Sequence, residues 1–194
     1  CVEVTQIMVE PSIVEAITRK LLSGGNWNIP ITSYFVSSAM VDHANTSIST
    51  ARALSRLKKV FLNFKGSSDD ASILRYPGGT FKMGIRIDGE RIPVNDVEDN
   101  VDAHYHLKNC LGHDRDGRMS LNITPAEWKS TKYTLGFGFE KGENFGSGKS
   151  LKMGGLLTTM LTGVDTGAVN ELFIIMEHDL VISIGDQATC QVFD

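Results

Sequence analysis

Apolar runs about one strand long, each closed by turn chemistry, recur along this chain. The clearest stretch is the last: Phe173, Ile174, Ile175 and Met176 are continuously apolar, residues 180–184 alternate in part, and Gly185-Asp186 supplies a turn ahead of residues 189–193. This pattern predicts two or three closely spaced β-strands, with Val192 and Phe193 anchoring the chain end in the fold or against a neighbouring molecule. Further back, residues 57–64 predict a strand with Val60, Leu62 and Phe64 on one side and Phe61 and Asn63 on the other. Residues 2–9 are rich in β-branched side chains and predict a first strand, stopped at Glu10-Pro11.

The remaining segments follow the same period. One or two strands span 29–41, a polar loop covers 42–46, and 47–54 fits either a helix or a strand. Gly78-Gly79 opens the alternating run 81–87, and Asp88-Gly89 is hairpin chemistry that returns through Arg91 and Ile92. Strand character resumes over 128–139, a glycine-rich segment runs from 142 to 148, and 151–161 is ambiguous.

Two segments carry helical spacing instead. Ser12 and Glu15 form a capping-box pattern, Ile13, Ile17 and Leu21 share a face, and Gly24-Gly25 ends that helix, whose role is to cover one end of a sheet. Over 97–111, Ala103, Leu107, Cys110 and Leu111 share a face and Gly112 is the stop. Many short strands, two short helices and no internal repeat predict an all-β fold: a jelly-roll-like antiparallel β-sandwich forming a single domain over 1–194.

Composition narrows the partners. At 41% hydrophobic residues the chain can bury one sizeable core, and its net charge of -4 gives no global attraction to phosphate backbones. No apolar stretch approaches the roughly 20 residues of a spanning helix, so membrane insertion is not expected. Cys1, Cys110 and Cys190 are odd in number and sparse, which argues against a disulfide framework and for folding in a reducing compartment. The chain opens on Cys1 without a leader pattern, as a processed product or a segment of a longer polypeptide would.

Candidate chemistry is thin. Gly148-Lys149-Ser150 invites a phosphate-loop reading, but the first glycine of that motif would fall at Glu143, and a loop between strands is the simpler account. The Val164-Asp165-Thr166-Gly167-Ala168 run is similar to the active-site turn of retroviral-type aspartic proteases, yet no apolar run ending in Gly-Arg supports it, and it reads as a turn entering a strand. His106 and Cys110 share a helical face that His113 would join one turn on, a weak metal candidate without a fourth ligand. Asp114-Arg115-Asp116-Gly117 fails as a calcium loop because its twelfth position is Ile123. Asn45 and Asn122 sit in short glycosylation patterns that arise readily by chance. Arg52, Arg56, Lys58 and Lys59 form a basic cluster that would meet a phosphate or an acidic partner, or simply solvent. No nucleophile-elbow pattern is present, and neither an enzyme nor a cofactor is expected.

Taken in order, Leu21-Leu22-Ser23-Gly24 with Ile29-Pro30-Ile31, residues 53–61 (ALSRLKKVF), residues 83–93 (MGIRIDGERIP) and the ending Cys190-Gln191-Val192-Phe193-Asp194 resemble jelly-roll capsid proteins of small viruses and virus-like elements of aquatic eukaryotes. The resemblance spans most of the chain. It implies a structural coat protein of the virion that self-assembles, with copies of itself and with other capsid proteins, into an icosahedral shell enclosing the genome. Family members often carry an Arg-rich N-terminal arm; none occurs in this sequence, which leaves genome contact open. Two other classes compete. A carbohydrate-binding β-sandwich would use Trp27, Tyr34, Trp128 and Tyr133 as a stacking platform, and a nucleotide hydrolase would use Lys149.

Overall fold

The computed structural model describes residues 10–67, 69–70, 72–112, 123–140, 148–151, 155–185 and 190–193. The strand expected over 2–9, the acidic turn at 114–117 and most of the glycine-rich segment lie outside the described residues. In chain order the elements are α1 (Pro11–Leu22), β1 (Trp27–Met40), β2 (Thr46–Ala51), β3 (Leu57–Lys65), β4 (Lys82–Ile87), β5 (Glu90–Val97), α2 (Asn100–Leu111), α3 (Pro125–Thr131), β6 (Thr134–Gly138), β7 (Leu156–Thr162), β8 (Glu171–Ile184) and β9 (Cys190–Phe193).

Two compact units divide the chain, Cys1–Ile31 with Leu180–Asp194, and Thr32–Asp179. The larger unit holds two sheets, in the orders β1-β8-β3-β6 and β2-β7-β4-β5. Counted along the chain, the first strand therefore pairs with the eighth, the second with the seventh, the third with the sixth and the fourth with the fifth. This is a long hairpin rolled up so that alternate rungs fall in opposite sheets, the jelly-roll arrangement. At its tip is the Asp88-Gly89 turn, both residues at positive φ (50° and 82°), joining β4 to β5.

Period-2 patterning fills the space between the sheets. Val60, Leu62 and Phe64 of β3 and Leu172, Ile174 and Met176 of β8 are fully buried, as are Met83, Ile85 and Ile87 of β4 and Leu157 of β7. Each such side chain stabilises the fold by roughly 1.5–3 kcal/mol relative to leaving it exposed. An aromatic row continues this core, with Phe64 against Phe81 at 5.3 Å, Tyr76 against Tyr133 at 5.1 Å, and Tyr133 against Trp128 at 4.7 Å. α2 buries Ala103, Leu107 and Cys110 on β6, where Gly136 lets it approach: an added Cβ there would lie 3.0 Å from Leu107 and 3.1 Å from Cys110.

Several expectations need correcting. α1 has no capping box; Pro11 takes the first helical position, where its missing N–H costs nothing, so the helix starts ahead of Ser12, and Glu15 pairs with Arg19 at 2.7 Å. α2 begins at Asn100, not 97, because Val97 still belongs to β5 and Asp99 is the cap, accepting from Asp102 N at 2.7 Å. The first part of 128–139 is helix. Thr124 and Glu127 cap it reciprocally and Pro125 starts it, giving three helices among the described residues where the pattern predicts two. The ambiguous segments 47–54 and 151–161 resolve into β2 and β7. In the smaller unit, β9 pairs antiparallel with β8, Val181 opposite Phe193 and Ile184 opposite Cys190.

Candidate interaction surfaces

β8 runs unbroken through three charged or polar residues, and the reason lies one strand over. Lys58 on β3 sits between Glu140 at 3.1 Å and Asp179 at 3.3 Å, and Lys59 meets Glu177 at 3.2 Å. Glu177, His178 and Asp179 are all buried. Burial alone would pull the Lys58 ammonium down, but the hydrogen bond and charge of Glu140, then the charge of Asp179, hold it above its ordinary value. The basic cluster is thus divided. Lys58 and Lys59 find their acids inside the fold, Arg52 lies over the Phe35 ring at 5.0 Å, and the Arg56 carbonyl accepts from Asp179 N.

His106 and Cys110 both line a cleft of about 440 Å³, with Lys59, Phe137 and Glu140. The Cys110 thiol is pushed up to about 12 by burial, so at neutral pH it stays protonated and is a poor nucleophile. His106 faces Asp102 at 3.6 Å and tilts onto Phe137. His113 lies outside the described residues, and among those described no three His, Cys, Asp or Glu side chains gather as a metal site.

The other motifs resolve into structural roles. Lys149 forms an ion pair with Glu90, while its backbone bridges to Leu57. Asp165 organises a turn: its Oδ1 accepts from Gly167 N at 3.0 Å and its carbonyl accepts from Ala168 and Val169 N. Asn45 Oδ1 accepts from Gly163 N at 3.1 Å. The aromatic platform is not formed, since Trp128 and Tyr133 are 2% and 1% exposed and belong to the core.

What remains open is apolar surface. Among the described strands β1 ends the order of its sheet, and it carries no charged residue. Its outward-facing Tyr34, Val36 and Met40 are 60%, 55% and 59% exposed. Natural sheets blunt such edges with charges, prolines or covering elements; here β5 carries Pro93 and β6 is packed by α2, whereas the only proline of β1 is Pro30, near its start. Val192 and Phe193 of β9 are also exposed, so they are held by ladder pairing and not by burial within this chain. Of this strand only Trp27 and Tyr34 were expected at the surface, as part of the stacking platform, although its lack of charge from Trp27 to Val41 was there to see.

No protein-family profile and no curated protein sequence matches the chain. Solved structures do match its fold. PBCV-1 VP54, as fitted into a cryo-EM reconstruction of the virophage Sputnik, superposes with a TM-score of 0.53 at 10% identity over 87% of this chain and 52% of its own. A quasi-atomic model of the PBCV-1 virus capsid gives 0.53 at 9% identity over 93% of this chain and 54% of its own. The cryo-EM structure of the Sputnik virophage gives 0.50 at 9% identity over 87% and 39%. The chain therefore has the fold of viral capsid jelly rolls and spans about half the length of the PBCV-1 chains it matches.

Proposed function

We propose that this chain is a structural capsid subunit, acting as a jelly-roll building block that associates with copies of itself and with other capsid proteins into a closed icosahedral shell around a genome. The observation that carries this reading is the rolled strand order, all eight of whose strands run through Thr32–Asp179, together with its superposition on capsid chains. The uncharged outer face of β1 supports it, because a long apolar edge strand needs a designated cover. A virion location, folding in a reducing compartment and one domain over 1–194, alone or as a segment of a longer capsid polypeptide, belong to the same reading. Lys58 and Lys59 have their charges matched internally, so enclosure of the genome does not rest on them.

Negative-stain electron microscopy and size-exclusion chromatography of the purified protein test it. Regular particles or discrete oligomers are expected, and replacing Tyr34 and Val36 by Lys should shift them to smaller species with an unchanged melting temperature. A protein that remains monomeric across concentration and salt would count against the proposal.

A further inference from the structure

α1 is amphipathic, yet it buries none of its residues. Ile13, Ile17 and Leu21 stack one turn apart along one face with Val14 at its margin, while Ser12, Glu15, Ala16 and Arg19 fill the far side. Ile13 and Val14 are each 49% exposed, and Ile17 and Leu21 are only half-buried. A helix of 12 residues is marginal in water by propensity alone and draws its stability from packing such a face. Covering the end of a sheet, the role its sequence suggests, would bury that face; here it stays open.

Charge decides what covers it. Glu15 and Arg19 pair at 2.7 Å on the far side and cancel. Glu10 at the N-cap and Lys20 in the last turn make no ion pair among the described residues, so the helix keeps one negative end, one positive end and no net charge. Such a helix has no excess of cations to draw it onto an anionic lipid or a phosphate backbone. Its narrow stripe suits a single neighbouring helix. A copy of α1 laid antiparallel fits both features: Ile13 and Ile17 of each pack along the other's i, i+4 ridge, Glu10 of each lies toward the partner's Lys20, and the helix dipoles oppose. A parallel copy would set like charges together.

We propose that α1 is a two-fold dimer contact, docking antiparallel on α1 of a second copy of the chain. A two-fold axis uses the same patch on both copies, so the contact closes on itself. The inference rests on the reading that copies of the chain associate, and it involves none of the β1 residues named above.

Tyr34→Lys with Val36→Lys, which removes the β1 contact, provides the background in which α1 pairing is read alone. Sedimentation equilibrium of that protein at low salt should show a monomer–dimer equilibrium. Adding Glu10→Lys or Lys20→Glu should weaken it at least about tenfold, because each sets like charges together. An equimolar mixture of the two should recover it as a heterodimer, since every facing pair is then opposite in sign again. Ile13→Ser with Val14→Ser should also disperse the dimer and leave the urea midpoint unchanged, because neither side chain is buried. Glu10 makes no side-chain cap hydrogen bond, so its replacement does not undo the helix start. A background protein that stays monomeric at every concentration, single reversals that associate as the background does, or a mixture that behaves as the sum of its parts would overturn the proposal. A dimer in the background with no particles from the unaltered protein would sustain α1 pairing and sink the shell; particles with a monomeric background would do the reverse.

Discussion

Gly163 shows how much a single position constrains this fold. Its φ of 70° lies in the left-handed region, and an added Cβ would collide with the Thr80 carbonyl oxygen, against backbone that cannot yield. Gly163→Ala is therefore expected to destabilise the protein by more than about 1 kcal/mol, read as a lower urea midpoint. Gly79, with nothing within 4 Å of its added Cβ, is the control and should accept Ala with little loss. Gly163 also ties two turns together, since its N–H reaches Asn45. That link joins residues far apart in sequence, which no local pattern announces.

At the scale of elements, β8 is held by charge as well as by its apolar residues. Lys58→Ala removes the countercharge from Asp179, whose side chain is 3% exposed, and should cost about 3–5 kcal/mol in denaturant unfolding. Lys58→Met with Asp179→Leu, which removes the more deeply buried pair and leaves the partly exposed Glu140, should recover much of it. The pH dependence has a definite sign. Because the folded state holds Lys58 above its ordinary 10.5, its contribution is full below that value and is lost as pH rises through the folded-state value. An alkaline melt should therefore separate wild type from Lys58→Met. Phe173 to Met176 were legible as a strand because a continuous apolar run of that length needs no partner to be read. Glu177, His178 and Asp179 looked like an interruption because their partners sit on β3. α3 was missed for the opposite reason: Trp128 and Tyr133 carry strong strand preference, while the decisive signal was the short Thr124-to-Glu127 cap with Pro125.

For the whole molecule, the number and kind of elements could be anticipated, but not which strand lies beside which. β1 and β8 pair although they come from opposite ends of the larger unit, with Val41 N donating to Asn170 O at 2.8 Å. Apolar pattern says which face is buried and leaves the neighbour unspecified. The surfaces were less legible still. Val192 and Phe193 look like core from composition and stand 61% and 51% exposed. Replacing both by Ser should change unfolding free energy by no more than about 0.5 kcal/mol, yet reduce particle yield if β9 meets a neighbour. Chemical denaturation beside particle counts separates these effects.

The rolled hairpin also sets a timetable. Only β4 and β5 are joined by a two-residue turn; each further pair outward must close a longer loop, and β1 cannot find β8 until nearly all the chain between them is in place. Topologies dominated by such distant pairings fold in milliseconds to seconds, slowly for a chain of this size. For that interval the uncharged β1 strand is free along both edges, a template for any other unfinished copy. The concentration at which the chain is made thus competes directly with the speed at which each copy closes.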